Sequence, residues 1–292
     1  MKISACSFIN KGTTLGYPFV ESIRSALVLV DEFVIAVGPE PDGTREAIEA
    51  IDDPRIRIID TTWDPGAPGS FVHGQQTMIA LYNCTGSWVL SIQGDEAIHE
   101  DHCDELRALI DRAHADGRAD AIVMKYHHFY GRPDLLAIGP RWYRAEARLM
   151  RTDSRRVVIP TGAQFLANIT GRHTITWPRA VVSNAYLFHY GWVRSQQAHE
   201  RKIRTAKHHA HPEGAPVDPY HQVDARMLKP FEGTHPSAMQ PWLDDTANWD
   251  FEPDANYTLS MRDHRQRFKA GLEKLLRADF SCTHFRRMRL KS

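Results

Sequence analysis

The sequence predicts an α/β protein, a mostly parallel sheet with helices on both faces, followed by a C-terminal extension. Three observations predict it. Over roughly the first 115 of 292 residues, short apolar runs alternate with segments of helical period. After about residue 120 strand-like runs continue with no long helix between them. The composition is that of an ordinary globular chain, 42% hydrophobic, with 36 basic side chains against 36 acidic ones. That balance excludes a strongly basic nucleic-acid protein and an acidic disordered one.

The elements follow in order. Lys2 to Ile9 reads as a buried strand, and Pro18 opens a helix with Val20, Ile23, Leu27 and Val30 on one face. Glu32 to Val37 is a second strand. Asp42-Gly43-Thr44 turns the chain into a helix carrying Ile48 and Ile51, with Asp42 or Thr44 as N-cap. Arg55 to Asp60 alternates as a third strand, and a Gly/Pro-rich loop from Asp64 to Gly69 leads to a helix near Gln75 to Tyr82. Trp88 to Ile92 is a fourth strand, and Glu100 to Ala115 a helix with Leu106, Leu109, Ile110 and Ala113 aligned. Ala121 to Tyr130, Glu146 to Arg151, Val157 to Pro160 and Val181 to Tyr190 read as further strands. A charged, His-rich helix is expected from about Gln196 to His208, a loop-rich stretch over 212–260, and a last amphipathic helix over Arg262 to Arg277. Phe268, Leu272, Leu275 and Leu276 give that helix an apolar face expected to dock on the core. Residues 1–195 are thus expected to form the core domain and 196–292 an extension packed on it.

No apolar run approaches the roughly 18 residues of a membrane helix. The N-terminus MKISACSFIN reads as a strand instead of a secretory leader. Four widely spaced cysteines (Cys6, Cys84, Cys103, Cys282) form no CxxC pair, which suits a reducing compartment and a cytoplasmic protein.

Repeated strand–helix–strand units imply right-handed crossovers, and ligands in such sheets bind beyond the carboxyl ends of the strands. Three segments become site walls: Asn10 to Gly16, Gly38 to Gly43, and Gln93 to His99. Within the last, the acids of Gln93-Gly94-Asp95-Glu96 can hold a hard divalent cation against a diphosphate; equally, two acids there can sit beside a helix N-terminus.

The stretches YPFVESIRSA, LVDEFVIAVG, DGTRE, RIRIID and GSWVLSIQGDEAIHE, with HFYG (128–131), RWYR (141–144), FHYGWVR (188–194) and FEGTHPSAM (231–239), resemble the family-2 glycosyltransferases, and within them a bacterial subgroup defined mostly by sequence. The resemblance spans nearly the whole chain. It implies the GT-A fold of nucleotide-diphospho-sugar transferases, a nucleotide-sugar donor and a bound Mn²⁺ or Mg²⁺. The family's metal-binding Asp-x-Asp reads Gln93-Gly94-Asp95 here, so Asp95 is the implied ligand, and Gln93 offers an amide to ribose or phosphate. Val37-Gly38-Pro39 stands where the family usually has a base-reading Asp, which leaves the nucleobase open. His189 matches a further metal ligand after the last core strand; the other reading is a core histidine beside Trp192. Arg194 and Lys202 are placed to neutralise the departing diphosphate. With Asn10, Gly38 and Asp42 these complete the expected donor site.

An inverting transferase needs a carboxylate to take the acceptor's proton. Related enzymes often carry a glutamate about where Gln164 lies, and Gln164 cannot accept a proton. Glu146, Glu96 and Asp153 remain as bases, with a retaining reaction as the other outcome. His128, Tyr130, Trp142, Gln164 and Trp192 are the expected acceptor wall, with aromatic rings suited to a sugar face. The acceptor is a glycan, a lipid-linked or a small molecule. The tail from Arg286 to Lys291 is basic and offers loose contact with anionic lipid at the inner membrane face. His199, His208, His209 and His211 read as a solvent-facing helix end. A nucleotidyltransferase would need a Gly-rich basic loop after the first strand and a dehydrogenase a GxGxxG there; the chain has neither. The competing function is a non-catalytic sugar-nucleotide or carbohydrate-binding protein that has lost its base.

Overall fold

The computed structural model describes residues 1–64, 71–152, 157–158, 167–169, 175–195, 197–201, 220–245, 251–280 and 284–291. The first half alternates as expected: β1 (Ile3–Ile9), α1 (Phe19–Leu27), β2 (Glu32–Val37), α2 (Thr44–Glu49), β3 (Ile56–Asp60), α3 (Phe71–Asn83), β4 (Trp88–Ser91), β5 (Glu96–Ile98) and α4 (Cys103–Asp116). The second half is strand-rich: β6 (Ala121–Ala137), β7 (Ala145–Arg151), β8 (Val157–Val158), β9 (Ala167–Ile169), β10 (Ile175–Thr176), β11 (Arg179–Val193) and β12 (Leu228–Pro230), then α5 (Gln240–Asp245), α6 (Met261–Leu276) and β13 (Arg286–Arg287). Residues 197–201 are helical.

One sheet runs β13-β11-β6-β7-β4-β1-β2-β3, with β12 added to β6 and β5 to β11. A small antiparallel sheet joins β8, β9 and β10. Strands β1 to β4 pair in parallel, β7 runs antiparallel to β4 and β6, and β11 is parallel to β6. The carboxyl ends of β1, β2, β4, β6 and β11 and the amino end of β7 therefore share one edge. Alternation along the strands splits the core in two. Phe33, Ile35, Trp88 and Leu90 face α1, α2 and α4, while Val34, Ala36 and Val89 face α3. A mixed, mostly parallel sheet between helices is the GT-A-like architecture implied by the sequence. The extension beyond 195 is stitched into it, since both β12 and β13 are strands of the same sheet.

Three expectations need correction. β6 does not stop at Tyr130: Gly131 takes a φ of 74°, and the chain bends there and continues through Pro133. A Cβ on Gly131 would lie 2.1 Å from Phe251 Cδ1, so only glycine fits. Asp42 and Thr44 are not the N-cap of α2; Gly43 is, in the left-handed region. The last helix forms, but its apolar face is not docked on the core. Asp263, Arg267 and Glu273 turn inward, while Phe268, Leu275 and Leu276 are exposed. The cause is polar anchorage: Arg267 Nε donates to Asp224 Oδ2 at 2.6 Å and Arg144 Nη2 to Glu273 Oε2 at 2.6 Å. Cys6, Cys84 and Cys103 are buried free thiols, and Cys282 lies outside the described residues. Among the described residues no helix is long and apolar enough to cross a membrane.

Candidate active site

Asp95 sits in the turn between β4 and β5, and this turn is tied down from every side. Ser22 Oγ on α1 donates to the Gln93 carbonyl at 2.9 Å. Glu96 N–H donates to the same carbonyl at 3.0 Å, and Gln93 N–H donates to Glu96 Oε2 at 2.9 Å, closing the turn reciprocally. β5 then runs antiparallel to β11, pairing Glu96 with His189, and Tyr190 N–H donates to the Asp95 carbonyl at 2.8 Å. This short strand brings Asp95 to His189. Asp95 Oδ1 stands 3.9 Å from His189 Nε2.

A chain of hydrogen bonds sets the His189 ring. His128 Nε2 donates to the Tyr143 carbonyl at 2.7 Å, so its Nδ1 carries no proton while the ring is neutral. Burial, with His189 next, holds the His128 pKa well below its ordinary value and keeps the ring neutral. His128 Nδ1 must therefore accept from His189 Nδ1, 3.0 Å away. A neutral His189 is then left with Nε2 as an acceptor on the Asp95 side. An N–H held by an outer partner is how a metal-binding imidazole is usually oriented.

Gly191 closes the floor. A Cβ there would lie 2.4 Å from Asp95 Oδ2 and 2.8 Å from His189 Nε2. Gly191→Ala should therefore displace both side chains while sparing the backbone. Scanning calorimetry is expected to show little change in thermal midpoint, and a crystal structure of the variant to show the Asp95 carboxylate and the His189 ring pushed from their positions; both left in place would contradict the geometry.

Arg194, just past β11, is buried with its guanidinium carbon 5.2 Å from the centre of the Tyr17 ring. Its Nε and Nη1 have no hydrogen-bond partner among the described residues. Burial and then the Asp95 charge push the Tyr17 hydroxyl up to about 12, with Arg194 opposing. At the neighbouring strand ends, Asn10 lies against Gly38: a Cβ on Gly38 would fall 2.4 Å from Asn10 Oδ1, a buried atom without a partner among the described residues. Asp42 is used differently from the sequence expectation. Its carboxylate accepts from Thr14 N–H at 2.9 Å and Thr44 N–H at 3.2 Å, clasping the 10–16 loop to the turn before α2. Arg201 Nη1 holds the same loop through the Thr14 carbonyl at 3.1 Å. Lys202, Gln164 and Asp153 lie outside the described residues.

The two expected bases stand in different surroundings. Glu96 is fully buried and engaged in an ion pair with Arg148, in a hydrogen bond from Tyr126 Oη at 3.1 Å and in the turn contact above. It is a brace, with no oxygen to spare for an acceptor. Glu146, at the amino end of β7, receives His284 Nδ1 on Oε1 at 2.8 Å, while its buried Oε2 has no partner among the described residues. Burial raises its pKa, with His284 and Arg148 opposing. The Tyr143 hydroxyl is also pushed up, first by burial and then by Glu96, with Arg148 opposing and Asp95 and Glu146 adding to the rise.

Four of the expected acceptor residues, His128, Tyr130, Trp142 and Trp192, cluster. Tyr130 stacks on Trp192 with centroids 5.8 Å apart and meets Trp142 edge-on at 6.1 Å. Tyr130 is buried, however, and its hydroxyl donates to the Tyr220 carbonyl at 3.1 Å, so it supports the wall from behind. His128 and Trp142 line a pocket of about 370 Å³ that also takes in Lys125, Lys229 and Arg287. The GTHP segment braces the site: His235 Nδ1 bonds Tyr190 Oη at 2.8 Å and Thr234 Oγ1 bonds His99 Nε2 at 3.0 Å. Sequence reasoning missed Tyr17, one residue beyond the loop it selected, and the part played by Arg148, whose signal was an arginine inside the apolar run Ala147–Met150.

No protein-family model and no curated protein matches the chain. Among solved structures it is similar to S. aureus TarS (15% identity, TM-score 0.44, 70% of this chain and 39% of that chain). It is also similar to TarS 1–349 in complex with UDP-GlcNAc (15%, 0.44, 92% and 79%). A third is the mannosyltransferase PcManGT from Pyrobaculum calidifontis in complex with GDP-Man and Mn²⁺ (15%, 0.43, 94% and 80%). The chain thus spans well under half of the full TarS chain. At such identities the likeness says nothing of activity or substrate.

Proposed function

We propose that the protein transfers a glycosyl group from a nucleoside-diphosphate sugar, with a divalent cation held by Asp95 and His189. The observation that carries the reading is Arg194, a buried guanidinium against the Tyr17 ring whose Nε and Nη1 find no acceptor among the described residues. A buried unsatisfied donor is costly, and an anionic diphosphate repays it. The donor chemistry fits a cation. One carboxylate and one imidazole suit Mn²⁺ better than Mg²⁺, and no group of three or more His, Cys, Asp or Glu among the described residues offers a fuller cage. Phosphate oxygens and water would supply the other ligands. When bound, the cation supplies positive charge where the leaving diphosphate develops negative charge.

The chain's own residues do the rest. Arg194 binds and neutralises the diphosphate, and Lys202 would add a second positive charge. Asn10 and Gly38 form the narrow wall for the nucleoside, Gln93 offers its amide, and Asp42 holds the loop that shapes this wall. Glu146 is the base: its Oε2 accepts the acceptor hydroxyl's proton, helped by a pKa that burial raises above the ordinary carboxylate value. The acceptor enters beside Trp142, Trp192 and His128, and the cations of the adjoining pocket favour one that bears an anionic group.

The experiment is release of nucleoside diphosphate from a panel of UDP- and GDP-sugars with Mn²⁺. Slow release is expected from the wild type, and Glu146→Gln should lower it by about 10²–10⁴-fold while leaving nucleotide binding intact. The same variant carries a stability signature. A carboxyl with a raised folded-state pKa stabilises the fold at low pH, and that contribution is lost as pH rises through the folded value. Glu146→Gln should therefore raise the thermal midpoint at pH 7 relative to the wild type, and less so at pH 4. Saturable binding with no release from any sugar, with or without acceptors, would leave a binding protein instead of a transferase.

A further inference from the structure

Helix α6 is amphipathic the wrong way round for a helix that serves only the core. On a wheel of about 100° per residue, Met261, Phe268 and Leu275 fall on one line, seven residues apart, with Leu276 at the edge of the same face. These four are 70%, 70%, 77% and 60% exposed. The inward side is polar. Asp263 accepts from Ser260 Oγ at 2.6 Å and from Tyr257 Oη at 2.7 Å, Arg267 pairs with Asp224, and Glu273 with Arg144. Both acids of the helix are thus consumed inward. The two margins of the outward face are of one sign: Arg265 and Lys274, one on either side of the apolar line, are both exposed, and neither has a carboxylate partner among the described residues.

From this pattern we propose that α6 is an interfacial helix that lies in the plane of an anionic lipid surface. The helix is polar on the protein side, apolar in its outer centre and basic at the outer margins, which is the distribution that inserts side chains to the acyl boundary and keeps cations among the headgroups. A second copy of the chain fits this face less well. A two-fold contact would set the same two cations against those of its own image, whereas an anionic surface complements both. The helix is pinned through Arg144, just before β7, and Asp224, in the turn before β12, so binding needs no unfolding of the extension. The inference does not rest on the transferase reading.

The test is co-sedimentation of the full chain with phosphatidylcholine vesicles, with and without about one-third phosphatidylglycerol. The wild type is expected to partition onto the anionic vesicles and at least roughly tenfold more weakly onto the neutral ones. Phe268→Asp with Leu275→Asp changes only exposed side chains and should remove binding, with unchanged circular dichroism and thermal midpoint. Arg265→Glu with Lys274→Glu should lower partition by about fivefold or more for each charge. Equal partition of wild type and both double variants would overturn the proposal, as would absence of wild-type binding to anionic vesicles. A wild-type dimer that becomes monomeric in Phe268→Asp/Leu275→Asp, with no lipid binding, would overturn it in favour of self-association.

Discussion

Arg148→Ala should destabilise the protein by about 3–5 kcal/mol, because it leaves a buried carboxylate without its counter-charge. Arg148 and Glu96 are both fully buried and ion-paired, and Tyr126 Oη bonds to both. Removing Arg148 strands Glu96, and with it the turn that carries Asp95, since Glu96 Oε2 holds Gln93 N–H. At the roughly 2–4 °C per kcal/mol typical of larger domains, the fall in thermal midpoint is easily read by calorimetry. Pairing the change with Glu96→Gln tests the cause: the double variant should recover part of the loss, because no unpaired charge remains. Additive losses would mean that the pair is not coupled and that the turn is held by something else.

Arg194→Met should do the opposite to stability and more to binding. The guanidinium is buried with two donors that no described residue accepts, so an apolar side chain of similar length removes a desolvation cost. The apo protein should be as stable as the wild type or more so. Hydrogen bonds to charged groups contribute about 1.5–3 kcal/mol, so affinity for a nucleoside diphosphate should fall about 10- to 150-fold. A residue kept only for packing would show the reverse, with lost stability and unaltered affinity. Calorimetric titration of UDP and GDP against both proteins separates the two.

Much of this architecture was legible because its first half is governed by local pattern. β2 falls on Glu32–Val37, the range its apolar run gives, and β1, β3 and β4 differ from their runs by a residue or two. The three-residue β5 was not legible, since nothing in Glu96-Ala97-Ile98 distinguishes a strand from a helix approach until β11 pairs with it. The same gap misassigned Glu96. Its acid reads as chemistry beside Asp95, and only the arrival of Arg148 from 52 residues away turns it into a brace. For α6 the period of the apolar positions was readable but its direction was not. Period reports that one face differs from the other; which face meets the core was decided by Asp224 and Arg144, distant residues that attract polar partners. Asp95 was legible from its place at a strand end and His189 through the family resemblance, and their mutual approach depends on β5 and on the space that Gly191 leaves.

The most direct test of the account is the Mn²⁺ dependence of nucleoside-diphosphate binding in Asp95→Ala, measured by calorimetric titration with and without the cation. Asp95 is the acid that stands with His189 in the cradle over Gly191. The account predicts that Mn²⁺ tightens binding to the wild type and that this gain falls at least roughly tenfold, about 1.4 kcal/mol, in the variant. An Mn²⁺-dependent affinity equal to that of the wild type would contradict it.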